Sequence, residues 1–363
     1  MRASAPVLAA LVAVPLLAGC LGGQARTEWA FDVTQLSTLA DQGRTGAGVT
    51  VAILDTGINV GHVALRHLVD GDASNGELVA FQDYVGGRNG VANAYDDDGH
   101  GSHVAGIVAA SGSSLKDKLE YGGINLLGGA PAVRLVVAKV CGAASCNAQA
   151  IPRAIDWAVS QHAQVINLSL GGNATNDIFA NLCVQPQDCP VRTSIENAVA
   201  KGVVVVAAAG NEGPSNTDVA TPADIPEVLS VGAIQSDGSV WADSSRGNDG
   251  AHPCGGIPNP FATPRCDPDK KPELVAPGVD ILSAWTGALY VRASGTSQAT
   301  PFVTATVALL LQGHPPLSSK ADVEHLKSVL EATAKPVAGQ QSPHDNAAGY
   351  GLVQAQAAFD AYL

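Results

Sequence analysis

VTVAILD, residues 49–55, offers water nothing polar between Thr50 and its closing Asp55. A strand buried on one face alternates apolar and polar residues. A strand buried on both faces reads as an unbroken aliphatic run, as in a parallel sheet covered by helices. The same texture returns in VRLVVAKV (133–140), QVINLSL (164–170), VVVVAAA (203–209) and VLSVGAI (228–234). Between these runs lie helical patterns: SHVAGIVAA (102–110), AQAIPRAIDWAVSQHA (148–163) and RTSIENAVAKG (192–202), the last closing on a glycine stop. Two further helices, near 297–312 and 320–333, are expected to close the chain. Alternation of this kind implies right-handed crossovers and a three-layer α/β fold, a mostly parallel twisted β-sheet with helices on both faces. Sites in such sheets lie outside the carboxyl ends of the strands, so chemistry is expected at strand ends.

Composition narrows the function classes. The 363 residues are 46% hydrophobic but only 4% aromatic, and 40 are glycine, which suits close packing of strands under helices. No period of twenty to fifty residues recurs, which argues against a solenoid or propeller. Twenty basic residues face 33 acidic ones, a net charge of −13. With no basic cluster, the chain would repel a nucleic-acid backbone; solubility in extracellular fluid is the plainer meaning of the charge.

Arg2 precedes the apolar run APVLAALVAVPLLAG, too short and too broken by proline for a comfortable membrane span. The run ends in Leu17-Ala18-Gly19-Cys20, which resembles the lipobox of prokaryotic lipoproteins and implies lipidation of Cys20. Residues 1–19 are thus expected to be a signal peptide and 20–27 a tether. Residues 28–363 would form one catalytic domain, with no recognisable prodomain before it. The protein would be exported and held on a membrane by its lipid, or secreted if the lipobox is unused. Without Cys20 six cysteines remain, and the short loops between them favour the pairs Cys141–Cys146, Cys183–Cys189 and Cys254–Cys266. Zinc is the rival, poorly served by these spacings without a paired histidine.

Three places carry candidate chemistry. Asp55 emerges where the first buried strand meets the surface, although aspartate is also an ordinary turn former there. DDDGHGSHVAGIVAA brings His100 and His103 to the start of a helix; His103 reads as a satisfied core residue, His100 as the more exposed one. The run Asp96–Asp98 reads as a solvated loop rather than a calcium site. In SGTSQATPFVTATVALLL (294–311) a small-residue turn runs straight into an apolar helix with Ser297 at the junction. That serine is either an N-cap or a nucleophile beside a helix N-terminus.

Together, DTGI, HGSHVAG, NLSLGG, AAAGNEG and SGTSQATP, in this order, resemble the subtilisin-like serine proteases over roughly residues 45 to 335. The order Asp, His, Ser is the known order of that family. The resemblance implies an endopeptidase in which Ser297 attacks the scissile carbonyl, His100 is the base and Asp55 orients the imidazole. Asn211 and the Ser297 N–H would form the oxyanion hole. Ser169, Leu170 and Gly171 would pair with extended peptide, and Ala208, Ala209, Gly210 and Ala220 would wall a pocket for apolar side chains. A core-packing role for these small residues stays open.

The resemblance implies no cofactor for the chemistry. It raises a structural calcium ion, for which residues 70–98 offer oxygen ligands but no EF-hand spacing, so no metal ligand is assigned. Peptides or proteins are the expected partners, the protein being a monomer. Activity should require neutral His100 and climb across roughly pH 6 to 8. Gln298 stands where the family usually has methionine and Ser102 where threonine is typical. A catalytically inactive peptide binder on the same strand edges is the main alternative; an esterase or lipase is disfavoured by the peptide-pairing edge.

Overall fold

In the computed structural model β1 (Thr50–Asp55) lies inside a seven-stranded parallel sheet and is buried along its whole length. The structure describes residues 28–112, 124–143, 145–172, 189–215, 218–254, 264–341 and 343–362. The other strands are β2 (Glu77–Asp83), β3 (Arg134–Lys139), β4 (Val165–Leu168), β5 (Val204–Ala208), β6 (Leu229–Ile234) and β7 (Leu274–Pro277), in the order β2-β3-β1-β4-β5-β6-β7. An antiparallel hairpin, β8 (Ile281–Ala284) with β9 (Tyr290–Ala293), stands apart from the sheet. The chain runs from β1 out to β2, returns through β3, and resumes on the other side of β1 with β4. Strand order therefore reverses at β1, where an open α/β sheet leaves its crevice.

The sheet is sandwiched by helices. α1 (Glu28–Val33) and α2 (Leu36–Asp41) open the described chain, and α3 (His100–Ala109) follows β2. α4 (Ala150–Ser160) and α5 (Pro190–Ala200) pack together on one face, and α3 packs with α6 (Thr296–Leu311) on the other. Every residue of α6 is buried except Ser297, which is half-buried. A helix that is apolar on all sides belongs in the interior, and α6 crosses β4, β5, β6 and β7. α7 (Lys320–Ala332) follows, capped by the Ser319 hydroxyl at its N-terminus.

The chain does not close on α7, as the sequence suggested. Residues Lys335 and Leu352 pair with each other, and Leu352 pairs with Val275 of β7 before a last helix, α8 (Ala355–Tyr362). The other expected helices and strands fall within three residues of their sequence bounds, the largest gap being at the end of α4. The signal, the tether and Cys20 lie outside the described residues. Among those described, no helix is long and apolar enough to cross a membrane.

Candidate active site

Asp55 ends β1 and is 1% exposed; His100 opens α3 and its side chain is 28% exposed. His100 Nδ1 lies 2.7 Å from Asp55 Oδ1, which also accepts the Thr56 N–H at 2.7 Å. Among the described residues Asp55 Oδ2 is buried with no hydrogen-bond partner, and the His100 imidazole is the one side chain hydrogen-bonded to this carboxylate. Burial alone would depress the His100 pKa. The Asp55 carboxylate, with Asp98 and Asp96 behind it, outweighs that and raises His100 to about 9. His62 and His103 go the other way, to about 4 and about 3, chiefly by burial, which outweighs the upward pull of the backbone carbonyls they meet. His103 bridges the Ile281 and Val291 carbonyls of the hairpin, a core role. The pH 6 to 8 window expected for neutral His100 therefore moves upward, because three carboxylates favour its charged form.

The loop that delivers His100 is built by the acidic run. Asp96 accepts from the Thr56 hydroxyl, the Asp98 and Gly99 N–H groups, and both the N–H and the hydroxyl of Ser102. Asp98 accepts the His100 N–H, and Asp97 pairs with Lys139. The run is thus a scaffold rather than the solvated loop expected. Asp72 and Asp83 likewise hold nearby N–H groups. Among the described residues no group of three or more His, Cys, Asp or Glu side chains is placed to hold a metal ion.

Ser297 sits in the first turn of α6, and a proline explains its surroundings. Pro301 has no N–H to give the Ser297 carbonyl four residues back; the Ser169 hydroxyl donates to that carbonyl instead, at 2.8 Å. Ser169 is itself held by Asn167, which accepts from Thr304 of the same helix. The Ser297 hydroxyl donates to the Ser169 carbonyl at 3.1 Å, so in this structure it is turned toward the β4 end and not hydrogen-bonded to His100. The Ser297 N–H, a first-turn donor beyond the helical ladder, has no acceptor among the described residues.

Asn211 follows the end of β5. Its Oδ1 accepts from both the N–H and the hydroxyl of Thr296, each at 2.9 Å. The carbonyl end of the amide is thereby fixed at α6, and the NH₂ end is left to donate. A Cβ at Gly295 would lie 3.3 Å from Asn211 Nδ2 and 2.9 Å from Gln298 Oε1, so a side chain there would crowd the end of this amide.

The small residues form one continuous wall. Gly172 and Thr221 exchange hydrogen bonds, Ala220 N–H donates to Ala209, and Gly171 and Gly210 both back onto the Ala220 methyl. Leu170 and Gly171 keep their backbone groups unpaired among the described residues. Sequence reasoning missed two features here. The Glu212 carboxylate, held by the Ser245 hydroxyl, stands beside Gly210. Asp218, two residues before Ala220, is gripped by Arg265 through two hydrogen bonds and by His252. Cys254–Cys266 ties the segment after His252 to the one carrying Arg265, and Cys141–Cys146 closes a hairpin after β3. Cys189 is disulfide-bonded; Cys183, expected as its partner, lies outside the described residues.

A family model described as the Subtilase family matches residues 46–351, reaching past the expected limit to the strand-like tail that pairs with β7. Subtilisin E of Bacillus subtilis (strain 168) is 32% identical over 310 residues, covering 84% of this chain and 65% of that protein's length. Subtilisin BL of Lederbergia lenta is 31% identical over 331 residues, 91% of this chain and 97% of its own. The alkaline protease of Shouchella clausii is 30% identical over 331 residues, 91% of this chain and 69% of its own. A parallel sheet with this site at its switch point, and matches of this extent, place the chain in the subtilase family.

Proposed function

We propose that the protein is a serine endopeptidase working through Asp55, His100 and Ser297. The observation that carries this is the 2.7 Å contact between a buried carboxylate and an accessible imidazole, at the sheet rim where the one unburied residue of α6 is a serine. The Ser297 hydroxyl leaves the Ser169 carbonyl, gives its proton to His100 Nε2 and attacks the peptide carbonyl. Asp55 holds the Nδ1–H tautomer and stabilises the imidazolium. The Ser297 N–H and Asn211 Nδ2 donate to the oxyanion. His100 returns the proton to the leaving amine, and water, activated in the same way, releases the acyl group.

The unpaired backbone of Leu170 and Gly171 supports recognition of an extended peptide by strand addition. Ala208, Ala209, Gly210 and Ala220 make a small-residue pocket for an apolar side chain before the scissile bond, with Glu212 at its edge. Export, with an acyl group on Cys20, completes the assignment; mass spectrometry of the mature protein from its own host tests it by the mass of the N-terminal peptide.

The protease assignment is tested with an unfolded protein substrate and a fluorophosphonate that phosphonylates active serines. Wild type should cleave and be labelled on Ser297, and Ser297→Ala should do neither. The bond from Ser297 to the Ser169 carbonyl favours a second assignment, a subtilase that binds peptides without turnover. Peptide binding with no labelling of wild type would establish it.

A further inference from the structure

Lys139 ends β3 directly opposite Asp55, and its side chain is 0% exposed. A buried ammonium survives only where acceptors compensate for lost water. Here three separate segments supply them: the Thr56 carbonyl at 2.5 Å, Asp97 Oδ1 at 2.7 Å and the Cys141 carbonyl at 3.0 Å. The Tyr95 ring lies 5.1 Å away on a further side. The three acceptors have particular neighbours. Thr56 follows Asp55; Asp97 precedes His100 by three residues; Cys141 begins the disulfide-closed hairpin. The N–H groups of Val140 and Cys141 both donate to the Asp55 carbonyl. Asp96 already joins Thr56 to the His100 turn, but among the described residues only Lys139 reaches all three segments.

We propose that Lys139 is a positioning residue for the Asp55–His100 pair, its buried ammonium locking the carboxylate's strand end, the imidazole's turn and the hairpin into one body. Its kinetic expression rests on the protease assignment above; its geometric expression does not. If Lys139 merely fills space, replacing it should lower thermal stability and leave the pair unchanged.

The test compares wild type, Lys139→Met and Asp97→Ala by three readouts. These are the low-field proton resonance of His100 Nδ1–H, the rate of fluorophosphonate labelling, and kcat against KM on a small peptide amide. Lys139→Met should shift or broaden the resonance and lower kcat and labelling by about 10²-fold, with KM within about threefold, since misplacement by about 1 Å has that effect. Asp97, 56% exposed, can be removed without opening the core; Asp97→Ala should move the same readouts by about tenfold. Should Lys139→Met fail to fold, Asp97→Ala decides. A folded variant with unchanged resonance and kcat overturns the proposal. If wild type neither cleaves nor is labelled, the protease assignment fails, and the resonance alone then judges the positioning role.

Discussion

In the proposed mechanism His100 accepts a proton from Ser297 only when Nε2 is free, so the competent fraction rises as pH rises through its folded-state pKa. With that value near 9, kcat/KM should climb through the alkaline range rather than level off near neutrality. Asp98→Asn removes one of the negative charges responsible while keeping an oxygen to accept the His100 N–H. The midpoint of the pH profile should fall, though not to the ordinary 6.5, because Asp55 remains; identical profiles for the two proteins would exclude Asp98 as a contributor. Asn211→Leu keeps the volume but loses the free NH₂, and should lower kcat by about 10²–10³ with little change in KM. A loss confined to KM would make Asn211 a binding residue instead. Gln298 is buried beside Ser297 where a thioether would be oxidisable, and the only methionine in the sequence is Met1. Activity should therefore survive peroxide; rapid inactivation would point to another oxidation target. Asp55, His100 and Ser297 were legible as candidates because each stands in a short word at a strand end or helix start. Lys139 was not: a lysine closing an apolar run looks like a boundary residue, and only the fold shows three segments converging on it. Asp96 was hidden too, since three adjacent aspartates resemble a solvated turn until their N–H partners are known.

Helix α6 shows how one proline couples two elements. Pro301 cannot close the helical bond to the Ser297 carbonyl, and Ser169 at the end of β4 supplies the missing donor. Ser169→Ala should then cost about 1–2 kcal/mol, because that carbonyl and the Asn167 amide both lose a buried partner. Adding Pro301→Ala restores a backbone N–H for the carbonyl, so the double variant should recover part of the loss. Urea unfolding of the four combinations, in a Ser297→Ala background to prevent self-digestion, measures the coupling; strict additivity would mean the two residues do not share this acceptor. Elements buried on both faces were the legible ones, because their unbroken apolar runs leave little choice. β2 escaped notice as a polar edge strand, with Glu77, Gln82 and Asp83 among its seven residues. β7, β8 and β9 have four residues each, too few for a periodicity to form. α1, α2 and α8 are short helices fixed by packing rather than by their own pattern.

Across the whole molecule, a second set of buried charges ties the sheet to its outer helix, away from the chemistry. Lys271 and Glu273 lie just before β7 and are both fully buried, 2.6 Å apart; Lys327 of α7 joins Glu273 and Asp269. The Pro226 carbonyl accepts from both lysines, linking the turn before β6 to the same knot. Glu331, one helical turn beyond Lys327, lies against this cluster with Oε1 buried and without a hydrogen-bond partner among the described residues. Burial, with the Glu273 charge beside it, raises its pKa from the ordinary 4.5 to about 9 in spite of the two lysines. Between those values the native state holds a proton that the unfolded chain has released, so the contribution of Glu331 to stability falls as pH rises from about 4.5 to about 9. Glu331→Gln keeps the shape and removes the titration. Its melting temperature should match wild type near pH 4, exceed it increasingly toward pH 9, and stay a constant margin above it beyond that. A variant less stable than wild type at pH 9 would mean that Glu331 is ionised and balances the lysines in the native state. In that case the cluster would be a net of paired charges rather than one holding a neutral acid, and α7 would depend on Glu331 as a counter-ion.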